Sequence, residues 1–471
     1  MARPVKTDLP LVRELKPSPN SVDVFRRLAQ RSHCLFLDSA LQHETLGRYS
    51  FVSADPFQFL AVDADEQDGL AQIESALSHF RCSTVADVPP FQGGAAGLLS
   101  YDLCRDFERV PSAQHDEFGV PTLAIGLYDV VVAFDHLQQR AWLISQGFPE
   151  KEPYLRRKRA AERMAQFETW LDAQPTETTT NTYPTIDEVD LAPQFTVAGT
   201  EHVTSDFSRE CYLAAAQRVI DYIYAGDVFQ VNLSQRLLCR ATDDSVSLYI
   251  RLRERNAATF GGYFDVGDFQ IVSASPERFV QLRNGCVEAR PIKGTRQRTA
   301  RPEADLFAAD DLRQSEKDRA ENVMIVDLLR NDISRVCRPN SVQVTQLCDL
   351  EVYEYVQHLV SAIRGELDEG KTAFDLIRAA FPGGSITGAP KVRAMEIISE
   401  LEPTARGPYC GSLGYVGFDG AMDLSILIRT ITAGRGWWQL PVGGGIVAQS
   451  NPQQEYEETW HKATGMLKAL R

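Results

Sequence analysis

Three stretches of the chain differ in their pattern of hydrophobic and polar positions. Residues 1–150 hold short alternating runs broken by Gly and Pro, such as 123–134, and these runs predict strands with occasional helices. The charged stretch 153–172 predicts a helix, and residues 174–198, rich in Thr, Pro and acids, predict a linker. The pattern therefore favours an N-terminal region, 1–200, and a second region, 201–471, unless the two form one interleaved globular unit.

The second region holds longer elements. Residues 208–225 carry an apolar stripe stopped by Gly226, which predicts a helix. Residues 315–330 predict another helix, and Asn451 with Pro452 predict the start of a third. In the 315–330 helix, five residues are expected to share one side: Ala320, Val323, Met324, Asp327 and Leu328.

Between these helices, residues 228–236 read as a strand whose side chains alternate in polarity. Gln230, Asn232 and Ser234 share one face, which is either a solvent-exposed face or the wall of a cleft. Strand-like and helix-like segments do not alternate one for one along the chain. We therefore predict an α+β fold, with antiparallel β-sheets packed together and helices outside.

The composition narrows the class of protein. Hydrophobic residues make up 44 % of the 471 and charged residues 24 %, as in a globular protein. The net charge of −15 argues against electrostatic capture of nucleic acid or an anionic membrane. No apolar run reaches the ~18 residues of a membrane span, and no secretory signal is visible. Nine scattered cysteines without a C-x-x-C pair fit reduced thiols, so a cytoplasmic protein is expected.

Lys293 is the first candidate for chemistry. It lies in the segment Pro291-Ile-Lys-Gly294, after residues that read as a strand, so it lies where a strand end can open onto a site. A lysine there acts as an amine nucleophile if its surroundings favour the neutral amine. An ordinary solvated loop lysine gives the same local pattern.

Two predicted helices each carry a pair of carboxylates three residues apart. Asp318 and Glu321 form one pair, and Glu455 and Glu458 the other, with Lys462 four residues further on. Such pairs can hold one Mg²⁺ between them, with substrate oxygens completing its shell. Helix surface exposed to solvent, with acids near the N-terminus, explains the spacing equally well.

Two glycine-rich segments, 382–391 and 442–447, match no nucleotide-binding loop. Glycine there permits either close approach of the backbone to a small anion or a tight turn of a sheet.

Taken together, the segments of the second region resemble the chorismate-utilising enzymes. They occur in family order across residues 226–459, and residues 35–51 resemble the family's N-terminal half less closely. The matching segments are 226–234, 273–279, 291–295, 325–332, 358–361, 382–391, 410–415, 428–430, 443–447 and 455–459. The resemblance implies the family fold and a chorismate-binding catalytic region over 201–471.

Three positions favour one branch of this family. Gln230 stands where the isochorismate and salicylate branch has a water-activating lysine, so attack by ammonia is expected. Lys293 stands where anthranilate synthases usually carry alanine and is typical of aminodeoxychorismate synthase component I. The segment 256–260 lacks the Pro-Tyr-Met of tryptophan-inhibited anthranilate synthases. Anthranilate synthase component I and a non-catalytic chorismate or tryptophan sensor remain as alternatives.

The resemblance also implies roles for single residues. Lys293 is the nucleophile that forms a covalent adduct, Glu277 the general acid, and Glu321, Glu458, Asp318 and Glu455 the Mg²⁺ ligands. The substrate-binding residues it implies are Gly294, Thr295, His358, Ser385, Thr387, Tyr415, Arg429, Gly443, Gly444, Gly445 and Lys462. It implies as partner a glutamine amidotransferase subunit that supplies ammonia. One departure from the family is Asn322, next to a metal ligand, where relatives often have histidine.

Overall fold

The structure, a computed structural model, describes residues 9–471 except 43–45, 65, 67, 175–183, 198, 201, 299–301 and 353–355, with the backbone alone at 295, 297, 302, 317 and 356. The helices are α1 (Ser21–Leu28), α2 (Gly69–Ser78), α3 (Pro153–Asp172), α4 (Arg209–Ala225), α5 (Ser245–Arg255), α6 (Pro302–Gln314), α7 (Glu316–Ser334), α8 (Ala373–Ala380), α9 (Lys391–Leu401) and α10 (Pro452–Ala469). Short 3-10 turns cover Tyr101–Asp106, Glu188–Asp190 and Gly384–Ile386.

The strands before α4 are β1 (Leu11–Leu15), β2 (Leu35–Asp38), β3 (Tyr49–Ser53), β4 (Gln58–Val62), β5 (Gly94–Leu99), β6 (Leu123–Tyr128), β7 (Val130–Asp135), β8 (Arg140–Ser145), β9 (Phe195–Thr196) and β10 (Thr204–Ser205). Those after it are β11 (Gln230–Arg240), β12 (Phe260–Asp265), β13 (Phe269–Ser275), β14 (Arg278–Arg283), β15 (Cys286–Ala289), β16 (Ile292–Gln297), β17 (Gln343–Val352), β18 (Val356–Glu366), β19 (Gly388–Ala389), β20 (Ser412–Gly417), β21 (Met422–Ile426), β22 (Thr430–Gly434) and β23 (Trp437–Ile446).

These strands form two sheets, and every pairing between the named strands is antiparallel. The first sheet runs β1-β8-β7-β3-β2-β12-β13-β22-β23-β11-β10-β9, with β19 on β11. The second runs β16-β18-β15-β14-β21-β20-β5-β6-β4, with β17 on β18. Pairing of β2 with β12 and of β5 with β20 joins strands from both regions in each sheet. The division into two regions stays a prediction.

Apolar side chains from both sheets meet in a shared core. Phe51 and Phe264 of the first sheet and Leu98 and Leu413 of the second belong to one buried cluster. On the outer faces, α1, α3, α5 and α10 cover the first sheet, and α2, α7 and α8 cover the second. The predicted α+β class, with antiparallel sheets packed together and helices outside, is confirmed.

Local signals in the sequence explain where several helices begin and end. The predicted 153–172 helix is α3, with those bounds. Ser315 caps α7 through the Asp318 amide, and Asn451 caps α10 through the amides of Gln453 and Gln454. Gly226 ends α4 in the left-handed conformation, with φ of 86°.

The prediction of strands in the run 123–134 is confirmed: it forms β6 and β7, which lie in different sheets with Asp129 between them. None of the five residues expected to share one side of α7 is buried. Val323 is 47 % exposed, whereas Ile325, Val326, Leu329 and Ile333 are buried, together with the polar Asn322.

Candidate active site

A β-bulge places Lys293. Strand β16 pairs with β18 through Lys293 and Leu359, then through Thr295 and His358, so Gly294 is the extra residue. Gly294 has φ of 64°, and a Cβ there would lie 2.6 Å from Leu312 Cδ1 and 3.1 Å from Asp318 Cγ. Glycine is therefore needed at this position, and Asp318 packs directly against the bulge.

Glu277 lies at the junction of β13 and β14 and is 7 % exposed. Burial raises the pKa of its carboxyl, while the nearby charge of Lys293 and the Ser385 hydroxyl oppose that rise. The Ile292 backbone, next to Lys293, also hydrogen-bonds to this carboxylate. A raised pKa favours the protonated carboxyl, which is the form that a general acid needs before it acts.

Ser385 connects the lysine to the acid. Its hydroxyl donates to Glu277 Oε1 at 3.0 Å, and its carbonyl accepts from Lys293 Nζ at 3.5 Å. The residue lies in the 3-10 turn Gly384–Ile386, which packs against α7 through Leu328. Three residues named from the sequence thus lie together, although 108 positions separate the two ends of the Ser385–Glu277 bond.

His358 and Arg429 complete this side of the cleft. Burial, together with the charge of Arg429, lowers the pKa of His358 to about 4, so its imidazole is neutral. A hydrogen bond with the Gly294 backbone fixes the ring against the bulge. Arg429 lies near Glu277, and burial lowers the pKa of its guanidinium, which stays charged because its ordinary value is so high.

The opposite wall is the predicted polar face of β11. Gln230 is 0 % exposed, Asn232 is 7 % and Ser234 is 4 %, so the solvent-exposed alternative is wrong. Both amide atoms of Gln230 and the Asn232 Nδ2 are buried without a hydrogen-bond partner among the residues that the structure describes. Because buried amides rarely stay unpaired, these groups are free to bind a polar ligand. The alternation of polar residues along the strand was the signal for this wall.

The glycine segment of β23 borders that wall and lies beneath α10. A Cβ on Gly444 would lie 3.4 Å from Lys462 Nζ, 3.6 Å from Glu455 Oε2 and 3.6 Å from Glu458 Oε1. A Cβ on Gly445 would lie 2.3 Å from Gln230 Nε2. Lys462 itself donates to the Gly443 carbonyl at 2.9 Å and pairs with Glu458 at 2.8 Å.

The four carboxylates predicted to bind Mg²⁺ lie in two pairs. Glu455 and Glu458 converge over Gly444, while Asp318 packs on Gly294 and Glu321 follows it one turn later on α7. Within the described part of the chain, no group of three or more His, Cys, Asp or Glu side chains is arranged to hold a metal. The oxygen-only donor set of each pair suits Mg²⁺ in kind.

Tyr415 lies apart from the Lys293–Ser385–Glu277 cluster. Its ring stacks on Phe91 at 4.4 Å and lines a separate cavity of about 470 Å³ between the sheets, with Arg278 and Asp423. Its role in substrate binding stays a prediction. Thr387 is buried beside the cleft, but its hydroxyl donates to the Gly383 carbonyl. The Thr295 side chain lies outside the described ones.

Sequence reasoning also missed a buried ion pair under the cleft, Arg406 with Glu402. Arg406 Nε donates to Glu402 Oε2 at 2.8 Å, and Arg406 Nη2 donates to Glu402 Oε1 at 2.7 Å. Neither residue belongs to the segments that carried the resemblance, and an i,i+4 pair on its own is common.

Fold and site together place a lysine and a buried carboxylic acid on either side of Ser385, in a protein of two antiparallel sheets with helices outside. The family model of chorismate binding enzymes matches residues 32–468, so this chain belongs to that family. The expected resemblance is thereby confirmed. Within the described residues, no helix is long and apolar enough to cross a membrane; a cytoplasmic location stays a prediction.

Curated relatives carry two different names. Aminodeoxychorismate synthase component 1 of Salmonella typhimurium is 40 % identical, with 99 % of each chain covered. That of Klebsiella aerogenes is 39 % identical, with 95 % of each chain covered. Anthranilate synthase component 1 of Thermus thermophilus is 43 % identical, over 82 % of this chain and 79 % of that protein.

Among solved structures, anthranilate synthase component I from Streptococcus pneumoniae has a TM-score of 0.75 and 31 % identity, covering 92 % of this chain and 94 % of that one. The isochorismate synthase MenF from Escherichia coli has a TM-score of 0.71 at 16 % identity, covering 98 % and 96 %. This second likeness concerns the fold alone.

Proposed function

We propose that this chain is component I of an aminodeoxychorismate synthase, which converts chorismate and ammonia to 4-amino-4-deoxychorismate. The observation that carries the proposal is the joint contact of Ser385 with the amine of Lys293 and the carboxyl of Glu277. An amine beside a buried acid suits nucleophilic substitution of a hydroxyl group. Relatives of that name, which cover 95–99 % of the chain, support the same branch.

In the first step, the neutral amine of Lys293 attacks C2 of the ring. A nitrogen–C2 bond forms, the ring double bonds shift, and the C4–oxygen bond breaks. The departing hydroxyl takes the proton of Glu277 and leaves as water. Glu277 becomes a carboxylate, which the Ser385 hydroxyl then stabilises.

In the second step, ammonia attacks C4. The double bonds shift back, the nitrogen–C2 bond breaks, and Lys293 leaves as an amine, while Glu277 takes up a proton from the attacking nitrogen. Gln230 favours ammonia as the nucleophile, since its neutral amide does not deprotonate water as an amine base does. Its unpaired amide atoms can orient the incoming nitrogen.

Charged and backbone groups hold the dianionic substrate. Arg429 takes the enolpyruvyl carboxylate through a planar guanidinium. The backbone of Gly443–Gly445 can approach the substrate closely because these residues lack side chains. A Cβ at Gly443 would overlap Ser234, and a Cβ at Gly445 would overlap Gln230. Positioning by these groups lowers the entropic cost of the reaction.

Mg²⁺ is the expected cofactor, and the residues that would hold it are Glu455 and Glu458 on α10 with Asp318 and Glu321 on α7. When bound, it neutralises the carboxylate on the substrate ring and orients it. Titration calorimetry with Mg²⁺ should show about tenfold weaker binding for Glu458→Gln. Glu457→Gln, on the same turn, serves as the control, and equal affinities in the two variants would contradict this assignment.

Ammonia is expected from a glutamine amidotransferase subunit, as the component 1 names of the relatives imply a second component. Free ammonium at high concentration should replace that partner in vitro. Glutamine should support turnover only when the second subunit is added.

One assay tests the proposal. The purified chain is mixed with chorismate, Mg²⁺ and ammonium, and the products are identified by mass spectrometry. Aminodeoxychorismate without pyruvate is expected. Anthranilate with pyruvate would establish the second candidate, anthranilate synthase, which the 43 % identical relative from Thermus thermophilus favours. Unchanged chorismate would contradict both.

A further inference from the structure

Arg406 lies buried beneath the cleft, where it touches both walls. Its Nη1 donates to the Ile386 carbonyl at 2.9 Å, and its Nη2 donates to the Asn232 carbonyl at 2.6 Å. Ile386 follows Ser385 in the 3-10 turn, and Asn232 lies on the polar face of β11. One guanidinium therefore joins the turn that contacts the lysine and acid to strand β11, beside the 2.8 Å hydrogen bond that the Asn232 amide donates to the Thr387 carbonyl.

Groups below the cleft fix the guanidinium in turn. Glu402 binds it through two oxygens, and the same carboxylate accepts from the Ser234 amide and hydroxyl, each at 2.8 Å. The Tyr101 ring lies 4.7 Å from the Arg406 Cζ, and Asp102 accepts from the Gly407 amide at 2.8 Å. The 3-10 turn Tyr101–Asp106, which supplies these last contacts, follows β5 of the second sheet.

We propose that Arg406 is a positioning residue that sets the distance and orientation of Ser385 toward Lys293 and Glu277. It touches no reacting atom and acts through the backbone of the 384–386 turn. Only a planar fork can address two carbonyls and a bidentate carboxylate at once, so lysine cannot replace it. This inference rests on the proposed function for the roles of Lys293 and Glu277.

The test compares Arg406→Lys with Arg163→Lys. Arg163 is a matched control, because it is also buried, donates to the Asp55 carbonyl and pairs with Asp55 and Asp129, but lies on α3 away from the cleft. For Arg406→Lys, kcat should fall about 100-fold, as for a misplacement of about 1 Å. KM for chorismate should change less than about threefold, and Arg163→Lys should keep wild-type kcat.

The pH profile separates positioning from general loss of structure. Activity falls as pH rises through the pKa of Glu277, because the acid must be protonated. Lys293, Arg429 and Cys410 face this carboxyl and stay in place in the variant. The Ser385 hydrogen bond lowers the pKa of Glu277, so its loss should move the alkaline limb of Arg406→Lys to higher pH. An unmoved limb with wild-type kcat would overturn the inference.

If Arg406→Lys does not fold, Glu402→Gln replaces it, since it keeps the shape of the anchor and removes its charge. For Glu402→Gln, we expect kcat to fall less than in Arg406→Lys and the alkaline limb of the pH profile to shift in the same direction. An unchanged kcat would overturn the inference. The readout is chorismate consumption, so a wild-type enzyme that yields anthranilate would refute the proposed function and leave this comparison intact.

Discussion

Two partly buried lysines of this chain lie in similar segments but in different surroundings. Lys293 follows Pro291-Ile, and Lys391 follows Gly388-Ala-Pro. Lys391 donates to Asp332 at 2.6 Å and to the Ala380 carbonyl at 2.7 Å. Among the described residues, Lys293 Nζ donates to the Ser385 carbonyl at 3.5 Å, and the neighbouring Glu277 carboxyl accepts from the Ser385 hydroxyl.

Burial acts on both members of the Lys391–Asp332 pair. It lowers the pKa of Lys391 and raises that of Asp332, while each partner opposes the shift of the other. A direct ion pair with these contacts fixes the amine as a charged structural group. The comparison teaches that the position of the nearest carboxylate, rather than burial, distinguishes Lys293, the proposed nucleophile, from Lys391, which is held in an ion pair.

Lys293→Ala should produce the largest effect. Removal of the nucleophile should lower kcat by at least about 10⁴-fold. Unfolding temperature and Mg²⁺ affinity should stay at wild-type values, because Lys293 holds no carboxylate in a direct pair. Wild-type enzyme quenched during turnover should carry an adduct on Lys293, detected by peptide mass spectrometry. Full activity of the variant would remove this residue from the mechanism.

Glu277→Gln tests the acid beside Lys293. An amide cannot deliver the proton, so kcat should fall about 10²–10³-fold. The pKa of Glu277 is raised, and the wild-type rate falls as pH rises through that value; this limb should be absent from the profile of the variant. A limb at its wild-type position would show that another group is the acid.

Lys391→Met should reduce stability instead. It leaves Asp332 buried without its partner, which costs about 3–5 kcal/mol in the free energy of unfolding. Asp332 can escape this cost by taking a proton, so its folded-state pKa should rise well above its unfolded value. The deficit should therefore shrink as pH falls below that raised pKa, as measured by urea unfolding at several pH values. The double variant with Asp332→Leu should recover part of the loss, and a pH-independent deficit would contradict this account.

Amine labelling should show the smallest difference. With a small acylating reagent followed by peptide mass spectrometry, the exposed Lys158 should react first, Lys293 next and Lys391 last. Chorismate should protect Lys293 and leave the other two rates unchanged. Faster labelling of Lys391 than of Lys293 would break the comparison.

Much of the fold could be predicted from local pattern. The bounds of α3 and the caps of α4, α7 and α10 follow from residues within a few positions of each end. The buried side of α7 could not be predicted, because Asn322 donates to the Leu359 carbonyl and accepts from Ser361 in a strand far along the chain. The partition of β6 and β7 between two sheets likewise depends on distant partners.

The residues of the candidate site also fall into two groups: those that the sequence identified and those that only the structure revealed. The segments that carried the resemblance identified Lys293, Glu277 and Ser385, and the structure places these three together. Tyr415 belonged to a matching segment, yet it faces a different cavity. Arg406 carried no motif, because its role depends on two backbone carbonyls, which have no signature in the sequence.

The sequence by itself determined the family, the class of fold and the residue types available for chemistry, because these depend on local periodicity and short motifs. Tertiary structure decided which lysine is held beside an acid and which is locked to a carboxylate. It also decided that the polar face of β11 is buried as a cleft wall. Those outcomes depend on contacts between residues that are 59 to 174 positions apart in the sequence, and only the folding of the chain brings them within hydrogen-bond distance.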